Sequence, residues 1–212
     1  MIKEYSALSD NKPCYRVEIH IAYSCANHCV FCSEAPWLEE KPHYFVPKRI
    51  IIDHLRRLAR KGCYHVTFTG GEPTRHPDIL DILVKARALG YATYLTTNGG
   101  RFASRSFCRQ ALPLVDEVCF SIHGYNARTH EALTRRPKSF ATLEKSLQHV
   151  QTQGRHTFCS ANLVLTRSHM LLLPKIMEYI FSWPHIKRLL ISLVAPEGNG
   201  LRHYESLLIR LS

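Results

Sequence analysis

Three cysteines stand at C-x3-C-x2-C in the stretch Cys25-Ala26-Asn27-His28-Cys29-Val30-Phe31-Cys32. Three thiolates this close can wrap one metal centre without help from distant parts of the chain. A four-thiolate iron–sulfur site needs a fourth cysteine. None lies near, since Cys14 is upstream and Cys63 is well downstream. The simplest chemistry is a cubane iron–sulfur cluster with three protein ligands and one iron left open. An open coordination position marks a catalytic rather than a structural metal site; the rule is stated for zinc and its logic carries over. With one thiolate fewer, the cluster is also less anionic, so a chelating substrate or cofactor can approach the bare iron. Backbone amides and the apolar Val30 and Phe31 would shield the sulfurs and tune the potential. Two plainer readings stand beside this one, a zinc knuckle and three unrelated buried thiols. Structural zinc wants four ligands, and His28 is a poor fourth because its neighbours already fix the loop.

The elements that position this loop alternate between strand and helix. Val17 to Ile21 alternates and forms the first strand. It feeds the cysteine loop, which runs on through Pro36, Trp37 and Pro42 to Pro47. Ile51, Leu55 and Leu58 then fall at i, i+4 and i+7 of a helix that ends at Gly62. His65–Thr69 is the second strand, and Pro77 opens a helix that ends at Gly90. Tyr91–Thr96 is the third strand, followed by a short helix over Ala103–Leu112 that stops at Pro113. Glu117–Ile122 is the fourth strand, and Ser139 caps a helix carrying Leu143, Leu147 and Val150 and ending at Gly154. Thr157–Leu165, a helix over Pro174–Phe181, and the strand Leu189–Val194 complete six βα units, with one more helix beginning after Gly200. Such a run implies a parallel sheet with right-handed crossovers. It is either an open doubly wound sheet or a curved partial barrel.

In both architectures the active-site edge lies at the C-terminal ends of the strands, and the polar, glycine-bearing stretches fall there. Gly70-Gly71-Glu72-Pro73 follows the second strand. Its two glycines let backbone approach a ligand closely, Pro73 fixes the turn, and Glu72 offers a carboxylate suited to an ammonium group. Thr97-Asn98-Gly99-Gly100, Ser121-Ile122-His123-Gly124, Ser160 with Asn162, and Pro196-Glu197-Gly198 mark the later strands. Any one of these could be turn chemistry. Together, on the edge that holds three cysteines, they outline a site.

The 212 residues are enough for one domain or a little more, with a substantial core. The polar N-terminus lacks the apolar segment of a signal peptide, and the cysteines outside the motif are irregularly spaced. Both features point to a reducing cytoplasm rather than a disulfide framework. No apolar run is long enough to span a membrane. The net charge of +11 suits anionic partners. Arg56, Arg57, Arg60 and Lys61 read most simply as a solvated helix face, and Arg135, Arg136 and Lys138 as a basic loop. An RNA partner is compatible with the charge, but no nucleic-acid motif with interleaved aromatics sharpens it.

The C-x3-C-x2-C with Phe31 before its third cysteine, Gly-Gly-Glu-Pro after the second strand and Thr-Thr-Asn-Gly after the third together resemble the radical S-adenosylmethionine (SAM) enzymes. Ser-Ile-His-Gly on the fourth strand and Pro-Glu-Gly on the sixth fit as well. The resemblance runs from about Val17 to Gly200 and is nearest the branch of the molybdenum-cofactor GTP cyclase and the peptide-modifying maturases. It implies an α/β fold, a parallel-stranded partial (βα)6 TIM-like barrel over residues 17–212, with residues 1–16 as an N-terminal extension. It implies that Cys25, Cys29 and Cys32 ligate a [4Fe–4S] cluster whose fourth iron is chelated by SAM. Gly70, Gly71, Glu72 and Pro73 would form the turn that holds the methionyl amine. Thr97, Asn98 and Ser121 would lie near the carboxylate and ribose. Asn162 and the Val194–Pro196 segment would border the ribose and adenine, and Phe31 would approach the adenine. The implied reaction is reductive cleavage of SAM to a 5′-deoxyadenosyl radical that abstracts hydrogen from substrate. The implied partners are a flavodoxin- or ferredoxin-like reductant and a peptide or small-molecule substrate. His123 stands where many relatives carry Asp, and reads as packing or solvent-facing rather than substrate-facing. Peptide-modifying relatives often carry a cysteine-rich C-terminal region, and here the chain stops at the start of a helix. It is thus either a minimal core or a piece of something longer. Cys14, Cys63, Cys108, Cys119 and Cys159 read as small buried apolar residues. RNA modification and a non-catalytic cluster scaffold are the competing functions. Glu72 and Asn98 argue against the scaffold, which has no need of SAM-binding groups.

Overall fold

The computed structural model describes residues 16–153 and 157–209. Cys14, Gly154 and nearly all of the expected N-terminal extension fall outside them. Seven strands form one sheet: β1 (Arg16–Tyr23), β2 (Tyr44–Phe45), β3 (His65–Gly70), β4 (Ala92–Thr97), β5 (Glu117–Ser121), β6 (Phe158–Leu165) and β7 (Ile186–Leu193), in the order β2-β1-β3-β4-β5-β6-β7. Every pair from β1·β3 to β6·β7 is parallel. The parallel strands follow one another in sequence order with no reversal. With crossovers of one hand, such a sheet carries its helices on one face and curls toward a barrel. A doubly wound sheet instead reverses its strand order at a switch point. The ends, β2 and β7, are not paired to each other, so the barrel stays open.

The unexpected strand is β2, two residues antiparallel to β1 through Ala22↔Phe45 and Tyr23↔Tyr44. It is too short for any alternation to show. It lies with helix α1 (Ala35–Glu40) in the stretch that reads as loop. Pro36 sits in the first turn of α1, where its missing N–H costs nothing. Helix α2 (Lys48–Arg60) lays Ile51, Leu55 and Leu58 on the sheet, none more than 3% exposed. Burial of each stabilises by about 1.5–3 kcal/mol. On its other face, Arg56 pairs with Asp53. Helix α3 (Ile79–Ala88) follows a single 3-10 turn at Pro73–Arg75. Helix α4 (Arg105–Ala111) is capped by Ser104, whose hydroxyl accepts from the Phe107 amide.

Helix α5 (Ala127–Thr134) has no counterpart in the apolar pattern. Its buried face is His130, Leu133 and Thr134, and its start is an Asn126–Thr129 capping box rather than the common Ser/Thr–Glu form. Helix α6 (Ser139–Gln153) buries Leu143, Leu147 and Val150 as expected. Ser139, however, lies inside the helix, its hydroxyl 2.8 Å from that of Thr134. Helix α7 (Leu173–Phe181) precedes β7, and α8 (Gly198–Arg202) and α9 (Tyr204–Leu207) follow it. At the far end of the barrel from the cysteine loop, the buried Glu117 accepts from Ser160 Oγ at 2.5 Å and pairs with Arg188, which ties β5, β6 and β7 together. Cys63, Cys108, Cys119 and Cys159 are buried, as small apolar side chains are. No helix among the described residues is long and apolar enough to cross a membrane.

Candidate active site

The C-terminal ends of the parallel strands surround a cavity of about 320 Å³. Cys25, Cys29 and Cys32 line it together with Phe31, Gly70, Gly71, Glu72, Thr97, Asn98, Ser121 and Asn162. Pro73 is buried beside it as the first residue of the 3-10 turn. Val194 and Pro196 do not line it. Val194 packs into a separate apolar cavity with Leu165 and Leu207 and Pro196 is exposed, while Ala195 between them lines the site cavity and Leu193 borders both cavities.

The cysteine loop is held from two sides. The His28 amide donates to the Thr134 carbonyl and the Val30 amide to Leu133, each at 2.9 Å, so the loop hangs on the end of α5. From the other side, the Asn199 amide donates to the Cys32 carbonyl at 2.9 Å and its side chain to the Cys29 carbonyl at 3.0 Å. This approach requires Gly198, whose φ is +55° and where a Cβ would fall 2.5 Å from the Cys32 oxygen. The turn after β3 is equally tight: a Cβ on Gly71 would meet Leu38 at 2.8 Å and the Ser24 carbonyl at 2.9 Å.

Burial, reinforced by the Glu72 charge, pushes the Cys25 thiol up to about 11. Burial also raises Cys29, with Cys32 and Cys25 adding to it, and raises Cys32. Without a cation these groups stay protonated, so metal binding here releases protons. The Asn27 amide at 3.4 Å and the Asn98 amide nitrogen at 3.5 Å donate to Cys25 Sγ, contacts of the kind that tune a ligated sulfur. Among the described residues, no three of His, Cys, Asp and Glu converge on a single ion. Three thiols spread around one cavity suit a multi-iron cluster, in which each cysteine holds its own iron, better than a mononuclear zinc knuckle.

Glu72 is a hub. Its Oε1 accepts from the Thr74 amide at 3.1 Å, the Thr74 hydroxyl at 2.6 Å and the Thr97 hydroxyl at 2.8 Å. Its Oε2 accepts from the Asn98 amide at 2.7 Å. Burial raises its pKa, while the bonds from Thr74, Asn98 and Thr97 pull it back. The carboxylate thus locks the turn after β3 to the turn after β4. Oε2, with one bond, keeps capacity toward the cavity. The Asn98 side chain is also engaged, its Oδ1 accepting from the Gly100 amide at 2.9 Å.

Sequence reasoning left out several cavity residues, among them Glu34, Leu38, Val164 and Ser192. Ser192 donates to Asn162 Oδ1 at 2.8 Å, and its place on the strand after Asn162's could have signalled it. Glu34 gave no signal, because it reaches the cavity only through the turn into α1. His123 is buried and lines the cavity, packed edge-to-face against Phe31 with ring centroids 4.8 Å apart. Its Nδ1 accepts from the Val164 amide at 3.3 Å. Burial, with His130 and His169 nearby, lowers its pKa well below the usual imidazole value, so it is neutral.

Residues 19–170, well over half of the chain, match the family model for the radical SAM superfamily. The S-adenosylmethionine-dependent nucleotide dehydratase of Flammeovirga pacifica is 31% identical over 136 residues, 62% of this chain and 46% of that protein. A probable GTP 3′,8-cyclase of Saccharolobus solfataricus is 28% identical over 124 residues, 58% of this chain and 39% of that protein. Among solved structures, Streptococcus suis SuiB bound to S-adenosylmethionine is similar with a TM-score of 0.69 at 18% identity, covering 93% of this chain and 44% of SuiB. SuiB bound to its precursor peptide SuiA is similar with the same TM-score. The chain spans less than half the length of each of these relatives. The likeness to SuiB shows a shared fold. On the family match, this chain belongs to the radical SAM superfamily, whose enzymes use a [4Fe–4S] cluster and S-adenosylmethionine.

Proposed function

We propose that this chain is the core of a radical SAM enzyme. Cys25, Cys29 and Cys32 hold the cluster, and residues 17–212 act as one core domain. When bound, cluster and SAM supply reductive cleavage to methionine and a 5′-deoxyadenosyl radical that takes a hydrogen atom from substrate. The protein orients the bond to be broken and excludes water. The turn Gly70–Pro73 receives the methionyl amine, with Oε2 of Glu72 as its acceptor. Thr97, Asn98, Ser121 and Asn162 lie along the carboxylate and ribose, and Phe31 flanks the adenine.

The observation that carries the reading is the convergence of three half-buried free thiols and the buried Glu72 carboxylate on one cavity at the strand ends. The net charge of +11 favours an anionic substrate. Nucleotides, the compounds named for the two curated relatives, fit it, and a peptide remains the other class. Anaerobic reconstitution tests the reading. Wild type should hold about four irons and bind SAM, whereas Cys29→Ala should assemble no cluster. A full iron complement in that variant would show that the ligands are misassigned.

A further inference from the structure

The cysteines border two cavities. Besides the larger one, a second of about 210 Å³ lies against Cys25 and Cys32 and is lined by His28 and His43. On the same loop, His28 is exposed, one residue before Cys29. Its amide is bonded to the Thr134 carbonyl, which places residues 135–138 beside it. Arg135 and Lys138 are exposed there, with Arg136 between them half-buried. Arg135 has φ +53° and Lys138 has φ +63°, a backbone region unfavourable for residues with side chains. None of the three cationic side chains has an ion pair or hydrogen bond among the described residues. The nearby acids are engaged elsewhere: Glu131 accepts from the Phe140 amide, and Glu39 pairs with Arg202. Three cations in the segment that follows Thr134, one hydrogen bond from the residue that precedes Cys29, thus stand against the single Glu131 carboxylate.

We infer that His28 and the Arg135–Lys138 loop form the docking surface for an acidic one-electron donor protein. The inference rests on the reading that Cys25, Cys29 and Cys32 hold a reducible cluster. A partner seated there meets the cluster loop at His28, which lines the second cavity and not the larger one. The donor is oxidised by one electron and the cluster reduced by one; no proton or group is transferred. Charge complementarity commits the surface to an acidic protein, because steering by unpaired surface cations acts chiefly on the rate of encounter.

The test is stopped-flow bleaching of cluster absorbance in the reconstituted protein. The reductants are a recombinant flavodoxin in its hydroquinone state and, separately, photoreduced deazaflavin. The proteins are wild type, the charge reversal R135E/K138E and the neutral R135Q/K138Q. With flavodoxin, the wild-type rate should fall steeply with salt. The reversal should be slower by about tenfold or more at low salt and nearly salt-independent, with the neutral variant between. With deazaflavin, all three should be reduced at the same rate. Flavodoxin reducing the reversal variant at the wild-type rate would overturn the docking surface. So would equal slowing with both reductants. Unchanged flavodoxin rates combined with lost binding of a transfer-RNA probe would assign the patch to RNA instead. Wild type without a reducible cluster would overturn the parent reading, and it is recognised by the deazaflavin arm alone.

Discussion

Replacing Glu72 probes the join between the two turns that form the cavity floor. Glu72→Ala removes an acceptor of four hydrogen bonds, from the Thr74 amide and hydroxyl, the Thr97 hydroxyl and the Asn98 amide. The threonine hydroxyls can rotate to other acceptors. The two backbone amides cannot, and Thr74 is fully buried. Orphaning the buried Thr74 donor costs about 1–3 kcal/mol and the half-buried Asn98 donor about 1 kcal/mol, and relief of the carboxylate's desolvation offsets part of this. The expected loss is about 3 kcal/mol. Glu72→Gln keeps one carbonyl acceptor but turns an NH2 group toward a donor, so it should lose about 1–2 kcal/mol. Urea denaturation of the apo chain reads both values from the shift in midpoint. SAM binding to the reconstituted variants reads the second consequence, a weaker site in both. An alanine variant within about 0.5 kcal/mol of wild type would refute the hub, since surface substitutions away from such features lie in that range.

Two further outcomes follow from contacts around the loop. Gly198→Ala forces a Cβ to 2.5 Å from the Cys32 carbonyl at a φ of +55°. It should cost about 1–3 kcal/mol and loosen α8 from the loop, seen as a lower urea midpoint and faster loss of iron to a chelator. His20 is buried, which works against its charge. Its ion pairs with Glu18 at 3.7 Å and Glu34 at 3.2 Å outweigh burial and raise its pKa from 6.5 to about 9. A raised pKa contributes stability that is fully present below pH 6.5 and is lost as pH rises through about 9. Denaturation of wild type and His20→Gln across pH 6–10 should show a decline in the wild type that the variant lacks. Parallel curves would remove His20 as its source.

The parallel strands were legible because they are rich in β-branched and aromatic residues and end in glycine-bearing turns. The helices with Ile51–Leu58 and Leu143–Val150 were legible from their apolar stripes. Helix α5 was not, because His130 and Thr134 take the buried positions that apolar residues would mark. The Glu72 hub was half legible: the sequence shows a carboxylate at a strand end, but its partners Thr97 and Asn98 lie one βα unit away. At β7, reading the whole Val194–Pro196 turn as site-facing misses the observed division. Ala195 lines the cavity, Val194 packs into the separate apolar one, and Leu193 borders both. The basic residues 135–138 were visible as a cluster of charge. Their position beside the cysteine loop depends on backbone bonds that only the fold supplies.

The measurement that tests the central claim most directly is anaerobic quantification of 5′-deoxyadenosine. The reconstituted protein is incubated with dithionite and SAM, beside a Cys25/Cys29/Cys32 triple-alanine control. The account predicts nucleoside from wild type and none from the control. A wild type that binds both cluster and SAM yet forms no nucleoside above the control would contradict it.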